Sequence, residues 1–408
     1  MSAAASKLSA LARSNRNELG LLAAIVVVFA LTAAFDSRHT YVRNPKPVAV
    51  DLVRQTAMLG IFALGSAIVI IAGGIDLSSG SMIAFGGTTC ATLMLLLAPE
   101  AMPKNKPVGP EVIALAIAGT LAVGFLIGSL HAWLITTVGL PPFIATLATL
   151  VGLRSLGRVI IENVTGAVLG SKSTQIQIYD RQFRYLATSV WVPAVLFLVL
   201  AVAAWVLLSR TVVGRHLYAL GGNEQATRLS GIRTDRLKWL AYCISAMLSS
   251  IAGVVFIADQ SVADPQTLGR GYELNAIAAA VVGGCSLQGG VGTIPGTVLG
   301  CLFLRMVIDG IAKVIKAGAD VYEGLIVGMV VVVAVALNQL RLGRAGRKRF
   351  FAGALGGVAV LNLALLTGVL TALLGGRTAG GLAAVGLFVL LALVKVFEWR
   401  GEQTKRTG

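Results

Sequence analysis

Charge is scarce in this chain. Only 13% of its 408 residues are Asp, Glu, Lys or Arg, whereas soluble domains carry about 25%. That shortage excludes an ordinary water-soluble domain. Catalytic signatures are missing too. His39, His131 and His216 are scattered, and neither HExxH nor GxSxG occurs, so nothing supports an intramembrane enzyme. There is no GxxxxGK[ST], and Gly170-Ser171-Lys172-Ser173 lacks the glycine before lysine; the chain therefore has no phosphate-cradling P-loop. Cys90, Cys243, Cys285 and Cys301 all lie in apolar segments without CxxC spacing. Neither a zinc site nor a disulfide framework is suggested, and they read as small packing residues.

Apolar residues make up 56% of the chain. They fall in blocks of about 17 to 25, long enough to cross a bilayer. The expected fold is all-α, a polytopic transmembrane helical bundle. The 48 glycines suit helices that pack closely in lipid. The formal charge is +16, but the basic residues sit in loops between apolar blocks. Anionic lipid headgroups and a cytoplasmic partner account for them better than nucleic acid does. Residues 1–18 are polar and basic, and an apolar block follows with no convincing small-residue cleavage site. That block is expected to be a retained helix, with 1–18 a cytoplasmic segment.

Taken in order, spans are expected at about 19–35, 56–72, 81–97, 111–136 and 141–160. Pro45 and Pro47 are expected to break the connector after the first span. Residues 162–189 are expected to form a structured loop outside the membrane. Further spans are expected at about 191–208, 240–258, 273–282, 293–308 and 321–337. The segment 309–320 reads as amphipathic. A basic run of Arg341, Arg344, Arg347, Lys348 and Arg349 follows, and then two apolar blocks at 351–374 and 382–396. Total basic charge divides almost evenly between the two sides in this topology; the dense basic runs at 210–238 and 341–349 fall on one side, which is expected to be the cytoplasm.

Residues 73–86 match 283–296 at a constant offset of 210: Gly73, Gly74, Leu77, Gly80 and Gly86 pair with Gly283, Gly284, Leu287, Gly290 and Gly296. Both copies break a helix with glycines. Paired, Gly-interrupted segments in two halves point to a transport pathway, because non-helical backbone at membrane depth must be buried in protein or line water. The candidate pathway residues are Gly73, Gly74, Asp76, Ser78, Gly80, Gly283, Gly284 and Gly290. Asp76 has two readings. An intramembrane carboxylate is functional by default, but Asp76 beside Ser78 and Ser79 is also well placed to cap the next helix.

The stretch Thr211 to Trp239 is the longest polar interruption in the hydrophobic part of the chain that is also strongly basic, with Arg215, Arg228, Arg233, Arg236 and Lys238. It reads as a Gly-Gly turn at Gly221 and Gly222, an Asn223 N-cap, a short helix from Glu224 to Leu229, and a stop at Ser230-Gly231. Glu224 sits favourably in the first turn. A loop with built-in structure at the membrane face docks something.

This stretch resembles the coupling loop of ABC importer permeases of the ribose/xylose/galactose type. Gly214-Arg215, Tyr218 to Glu224, Ala226 and Leu229 to Ile232 carry the match. It extends through Gly73 to Ser81, Pro142 to Leu147, Gly271 to Ala279 and Gly283 to Leu287, so that it covers roughly residues 50–340. Gln225 departs from the Glu-Ala-Ala pattern of many such permeases and is a tolerated helix former.

The resemblance implies a core of about ten spans with broken helices, here 19–340 with its coupling loop at 211–239. A basic cytoplasmic linker at 341–350, an extra transmembrane hairpin at 351–397 and a cytoplasmic tail at 398–408 would follow. It implies import of a monosaccharide across the bacterial inner membrane, with both termini cytoplasmic. Gly221, Gly222, Asn223, Glu224, Ala226, Arg228, Ser230 and Gly231 would couple the chain to an ATPase. ATP and Mg would be bound by that partner, with no cofactor in this chain. A periplasmic or lipid-anchored sugar-binding protein, a second permease copy and membrane lipids are the other implied partners. A branched-chain amino-acid permease is the alternative within the class. An ion-coupled secondary transporter is the alternative outside it, and it would want more buried carboxylates than Asp76.

Overall fold

A computed structural model describes residues 16–314, 324–325, 327–330, 332, 353–375 and 377–406. The expected linker 341–350 and most of the expected span 321–337 lie outside the described residues. So do 1–15 and the last two residues of the tail. The chain falls into two compact units, residues 1–338 and 339–408.

In the first unit the helices are α1 (Arg16–Phe35), α2 (Thr40–Arg43), α3 (Pro45–Ile71), α4 (Ser79–Leu97), α5 (Pro110–Thr136) and α6 (Pro142–Leu169). Next come α7 (Arg181–Thr188), α8 (Trp191–Arg210), α9 (Val212–Gly222), α10 (Glu224–Leu229), α11 (Thr234–Gln260), α12 (Tyr272–Val282) and α13 (Ile294–Val314). The only strands among the described residues are β1 (Ile176–Gln177) and β2 (Val262–Ala263), which pair antiparallel. The second unit is a hairpin of α14 (Gly353–Gly375) and α15 (Arg377–Arg406). Among the described residues nine helices are long and apolar enough to cross a membrane.

Burial sorts the spans. In the most apolar windows of α3, α4 and α11, 89%, 78% and 78% of residues are buried in protein; in α5, α6 and α8 the shares are 22%, 28% and 28%. The first three therefore form the centre, and the others present apolar faces outward, as lipid requires. Small residues allow this close approach. A Cβ on Gly253 of α11 would stand 2.3 Å from the Ile83 carbonyl oxygen of α4.

Two expectations are corrected. Pro45 and Pro47 open α3 instead of breaking the chain. The first helical residues need no intrahelical donor, so proline is tolerated there. The polar stretch from Glu162 is not a loop at its start. α6 runs on to Leu169 and leaves through Gly170 at φ 73°. Its polar groups are satisfied on the helix itself: Arg158 donates to Glu162 at 2.8 Å, and the Thr165 hydroxyl donates to the Ile161 carbonyl at 2.7 Å. The rest of the stretch is structured: Asp180 caps α7, accepting from Phe183 N at 2.8 Å, and also accepts from Val108 N at 3.0 Å. The helix at 294–314 likewise absorbs the first part of the segment that reads as amphipathic.

Candidate coupling and pathway site

α9 begins at Thr211, whose hydroxyl accepts from Gly214 N at 3.1 Å. The Gly-Gly turn is a correction: α9 stays helical through Gly221 and Gly222, and the chain turns at Asn223, φ −160° and ψ 104°. Asn223 Oδ1 then accepts from Ala226 N at 2.9 Å and caps α10. Satisfying that otherwise orphaned donor lets so short a helix form. The Ser230 hydroxyl donates to the Ala226 carbonyl at 2.9 Å, and Gly231 leaves in the left-handed region at φ 80°.

α10 is latched to the start of α11. Lys238 Nζ donates to Glu224 at 2.6 Å, and the Arg228 guanidinium donates to the Thr234 hydroxyl at 3.1 Å. Arg228 also reaches Glu224 and Asp235, each at 3.4 Å. Thr227 faces inward. Ala226 is exposed, and Leu229 is 89% exposed. α10 offers Leu229 outward beside the exposed Gln225 and Arg228, a face that a partner can cover.

The reason for Gly221 lies elsewhere in the fold. A Cβ there would stand 1.9 Å from the Ile71 carbonyl oxygen and 2.5 Å from Gly290 N. Ile71 ends α3, Gly73 follows at φ 83°, and Gly290 N donates to the Ile71 oxygen at 2.9 Å. Both repeat breaks therefore meet backbone to backbone, and the end of α9 is the third member of the junction. Tyr218 of α9 adds a bond from its hydroxyl to the Gly292 carbonyl at 2.8 Å.

Other expected site residues are placed as follows. Gly222 borders the junction beside Gly290, and a Cβ on it would meet nothing. Gly74 packs against the Tyr242 hydroxyl, and Gly283 packs on Gly296. Gly284 shares with Gly283, Gly290 and Tyr218 the wall of a cavity of about 270 Å³. Gly80, the repeat partner of Gly290, is away from the junction, against Glu273 and Gly269. A second cavity, of about 310 Å³, runs from Gly73 and Gly74 to Asn223, Glu224 and Lys238.

Asp76 is 2% exposed. Its Oδ1 accepts from Ser78 N at 2.9 Å and Ser78 Oγ at 2.6 Å, and its Oδ2 accepts from Ser245 Oγ of α11 at 2.7 Å. Asp76 thus does not cap α4, whose N-cap Ser78 has no side-chain cap bond; its carboxylate makes a local turn onto Ser78 and ties it to α11. Asp76→Ala is expected to lower the melting temperature of the purified protein, since buried donors left unpaired cost about 1–3 kcal/mol. An unchanged melting temperature with impaired transport would show that the carboxylate serves transport instead.

Sequence reading named Leu229, Lys238 and Tyr218 but did not assign them to the site. Leu229 carried a signal, an apolar residue on an otherwise polar helix; the others act through distant contacts.

A buried centre of broken helices, with a latched surface helix touching both breaks through α9, defines a polytopic membrane permease. Residues 48–335 match the family model described as branched-chain amino acid transport system / permease component, and the chain belongs to that family, among the permease subunits of ABC importers. It is 35% identical over 322 residues to the ribose import permease protein RbsC of Escherichia coli K12, covering 78% of this chain and 91% of that protein. RbsC of Bacillus subtilis is 33% identical over 321 residues, covering 79% of this chain and 91% of that protein. The galactose/methyl galactoside import permease protein MglC of E. coli K12 is 30% identical over 300 residues, covering 72% of this chain and 87% of that protein. No solved structure matches the chain.

Proposed function

We propose that this chain is the membrane-spanning subunit of an ATP-driven importer that carries a ribose-, xylose- or galactose-like monosaccharide into the cytoplasm. The observation that carries this reading is the junction of Gly221, Ile71 and Gly290, where α9, the helix that leads into the latched α10, abuts both helix breaks. A partner ATPase binds ATP and Mg and seats on α10. A periplasmic or lipid-anchored binding protein delivers the sugar at the opposite end. Both termini are cytoplasmic in the bacterial inner membrane. One chain offers one α10, so two copies serve two ATPases, as closed twofold dimers commonly do. The named sugar permeases among its relatives favour a monosaccharide over a branched-chain amino acid.

The test is uptake by vesicles holding the permease, its ATPase and its binding protein, with no ion gradient. Labelled D-ribose, D-xylose, D-galactose and L-leucine are offered with and without ATP. ATP-dependent accumulation of a sugar, with two permease chains by native mass measurement, is the expected result. Uptake that needs an ion gradient and ignores ATP would sink the reading.

In the second unit, 339–408, α14 and α15 form a hairpin, with Gly380 of α15 against Ala372 of α14. A chain ending at Arg349 is expected to insert and to retain at least a third of sugar uptake. Normal insertion with no uptake would make the hairpin part of the machinery.

A further inference from the structure

Two aromatic side chains hold equivalent places in the two halves of the repeat. Phe62 and Tyr272 are separated by the same 210 positions as Gly73 and Gly283. Their rings lie nearly parallel, at 6.0 Å between centroids and 6° between planes. Phe256 of α11 closes a third side, 5.1 Å from Tyr272 and 6.3 Å from Phe62. Gln55, Asn275 and Arg305 line the same small cavity, and the Arg305 guanidinium donates to the Gln55 amide oxygen.

The place of this cluster follows from helix rise. Phe62 precedes the end of α3 by about 14 Å, and Tyr272 precedes the end of α12 by about 15 Å, at 1.5 Å per residue. Phe256 lies about 33 Å along α11 from its start beside α10. The cluster therefore sits on the far side of the glycine junction from α10. Arg54 bridges Asp51 and Asp259 farther out still, at 3.1 and 2.9 Å.

Packing alone explains three aromatic rings in a membrane bundle. It does not explain an amide pair and a guanidinium around the same cavity, since such groups are expensive in lipid and mark pathways. A monosaccharide offers a flat C–H face and a rim of hydroxyls, which match aromatic rings and polar side chains respectively. A free amino acid would also need a counter-charge for its ammonium, and no carboxylate is among the residues lining this cavity. The cavity is only about 10 Å³, room for about one water.

We propose that Phe62, Tyr272, Gln55, Asn275 and Arg305 form the monosaccharide contact of the pathway, closed in this structure by the Phe62–Tyr272 stack, which parts to admit the sugar ring. The proposal rests on the sugar-import reading above. The vesicle assay with the same four labelled solutes tests both. Phe62→Ala and Tyr272→Ala are expected to cut uptake of the transported sugar at least tenfold. Phe62→Cys supplies a readout independent of transport, since the four native cysteines are buried and the unsubstituted chain gives the background. N-ethylmaleimide should label it at least threefold more slowly with the transported sugar present than with a panel sugar that is not transported. Should an alanine variant fail to assemble with the ATPase, the labelling decides. Sugar uptake within twofold of normal in both alanine variants, or labelling indifferent to the transported sugar, overturns the site and leaves sugar import standing. Leucine uptake with no sugar uptake overturns sugar import, and this site with it.

Discussion

Gly221→Ala is expected to reduce sugar uptake at least fiftyfold, while Gly222→Ala stays within twofold of normal. The two glycines are neighbours in the last turn of α9, so local propensity treats them alike. Alanine is the better helix former by about 1 kcal/mol in a helix interior, so propensity alone would make either change benign. Their surroundings differ. At Gly222 a methyl group meets nothing within 4 Å; at Gly221 it would stand 1.9 Å from the Ile71 oxygen and 2.5 Å from Gly290 N. Those two atoms are bonded to each other at 2.9 Å, so the methyl must push α9 away or part the two repeat breaks. Overpacking a tight site costs about 1–3 kcal/mol, which a whole membrane bundle can absorb. The variant should therefore insert, assemble and bind its ATPase, yet fail to carry ATPase movement to the breaks. Equal uptake by the two variants would show that the junction transmits nothing.

This pair also shows what the sequence could and could not reveal. Most spans were legible because apolar blocks of membrane length survive any tertiary arrangement; the expected span at 273–282 is instead the 11-residue helix α12, too short to cross. Helix α10 was legible because its cap, its first-turn Glu224 and its exit at Gly231 are all local. Gly221 was not: its reason is the Ile71 carbonyl, 150 positions earlier. Lys238 meets Glu224 across a turn that no helical period describes. The repeat exposed both breaks, yet Gly290 joins the junction while its counterpart Gly80 packs against Glu273 and Gly269. Pairing by offset shows which segments correspond, and packing then gives each its own neighbours. Polar composition misled at Glu162 and at Pro45, where side-chain bonds along α6 and the spare donors of a first turn kept the chain helical.

The last expected result concerns the face that α10 presents. Ala226→Arg should be made, inserted and dimeric, but should lose its ATPase on purification and take up no sugar. Leu229→Asp should weaken ATPase retention in the same direction. Ala226 and Leu229 lie three residues apart and so share one face of a helical turn, and both are exposed. Ala226 contributes to the fold through its backbone, its N–H donating to Asn223 and its carbonyl accepting from Ser230. An arginine side chain leaves those bonds in place. At a docked surface it adds bulk and an unpaired charge, which costs about 2–5 kcal/mol by analogy with buried interface charges. Leucine covered by a partner contributes about 1.5–3 kcal/mol, so its loss alone should lower ATPase retention by tenfold or more. The latch of Lys238 and Glu224 is untouched by either change and gives the contrasting control. Lys238→Met should keep the docking face but loosen α10 from α11, so that the ATPase is retained while uptake per ATP hydrolysed falls. If Ala226→Arg co-purifies with its ATPase and transports normally, α10 is not where the partner seats.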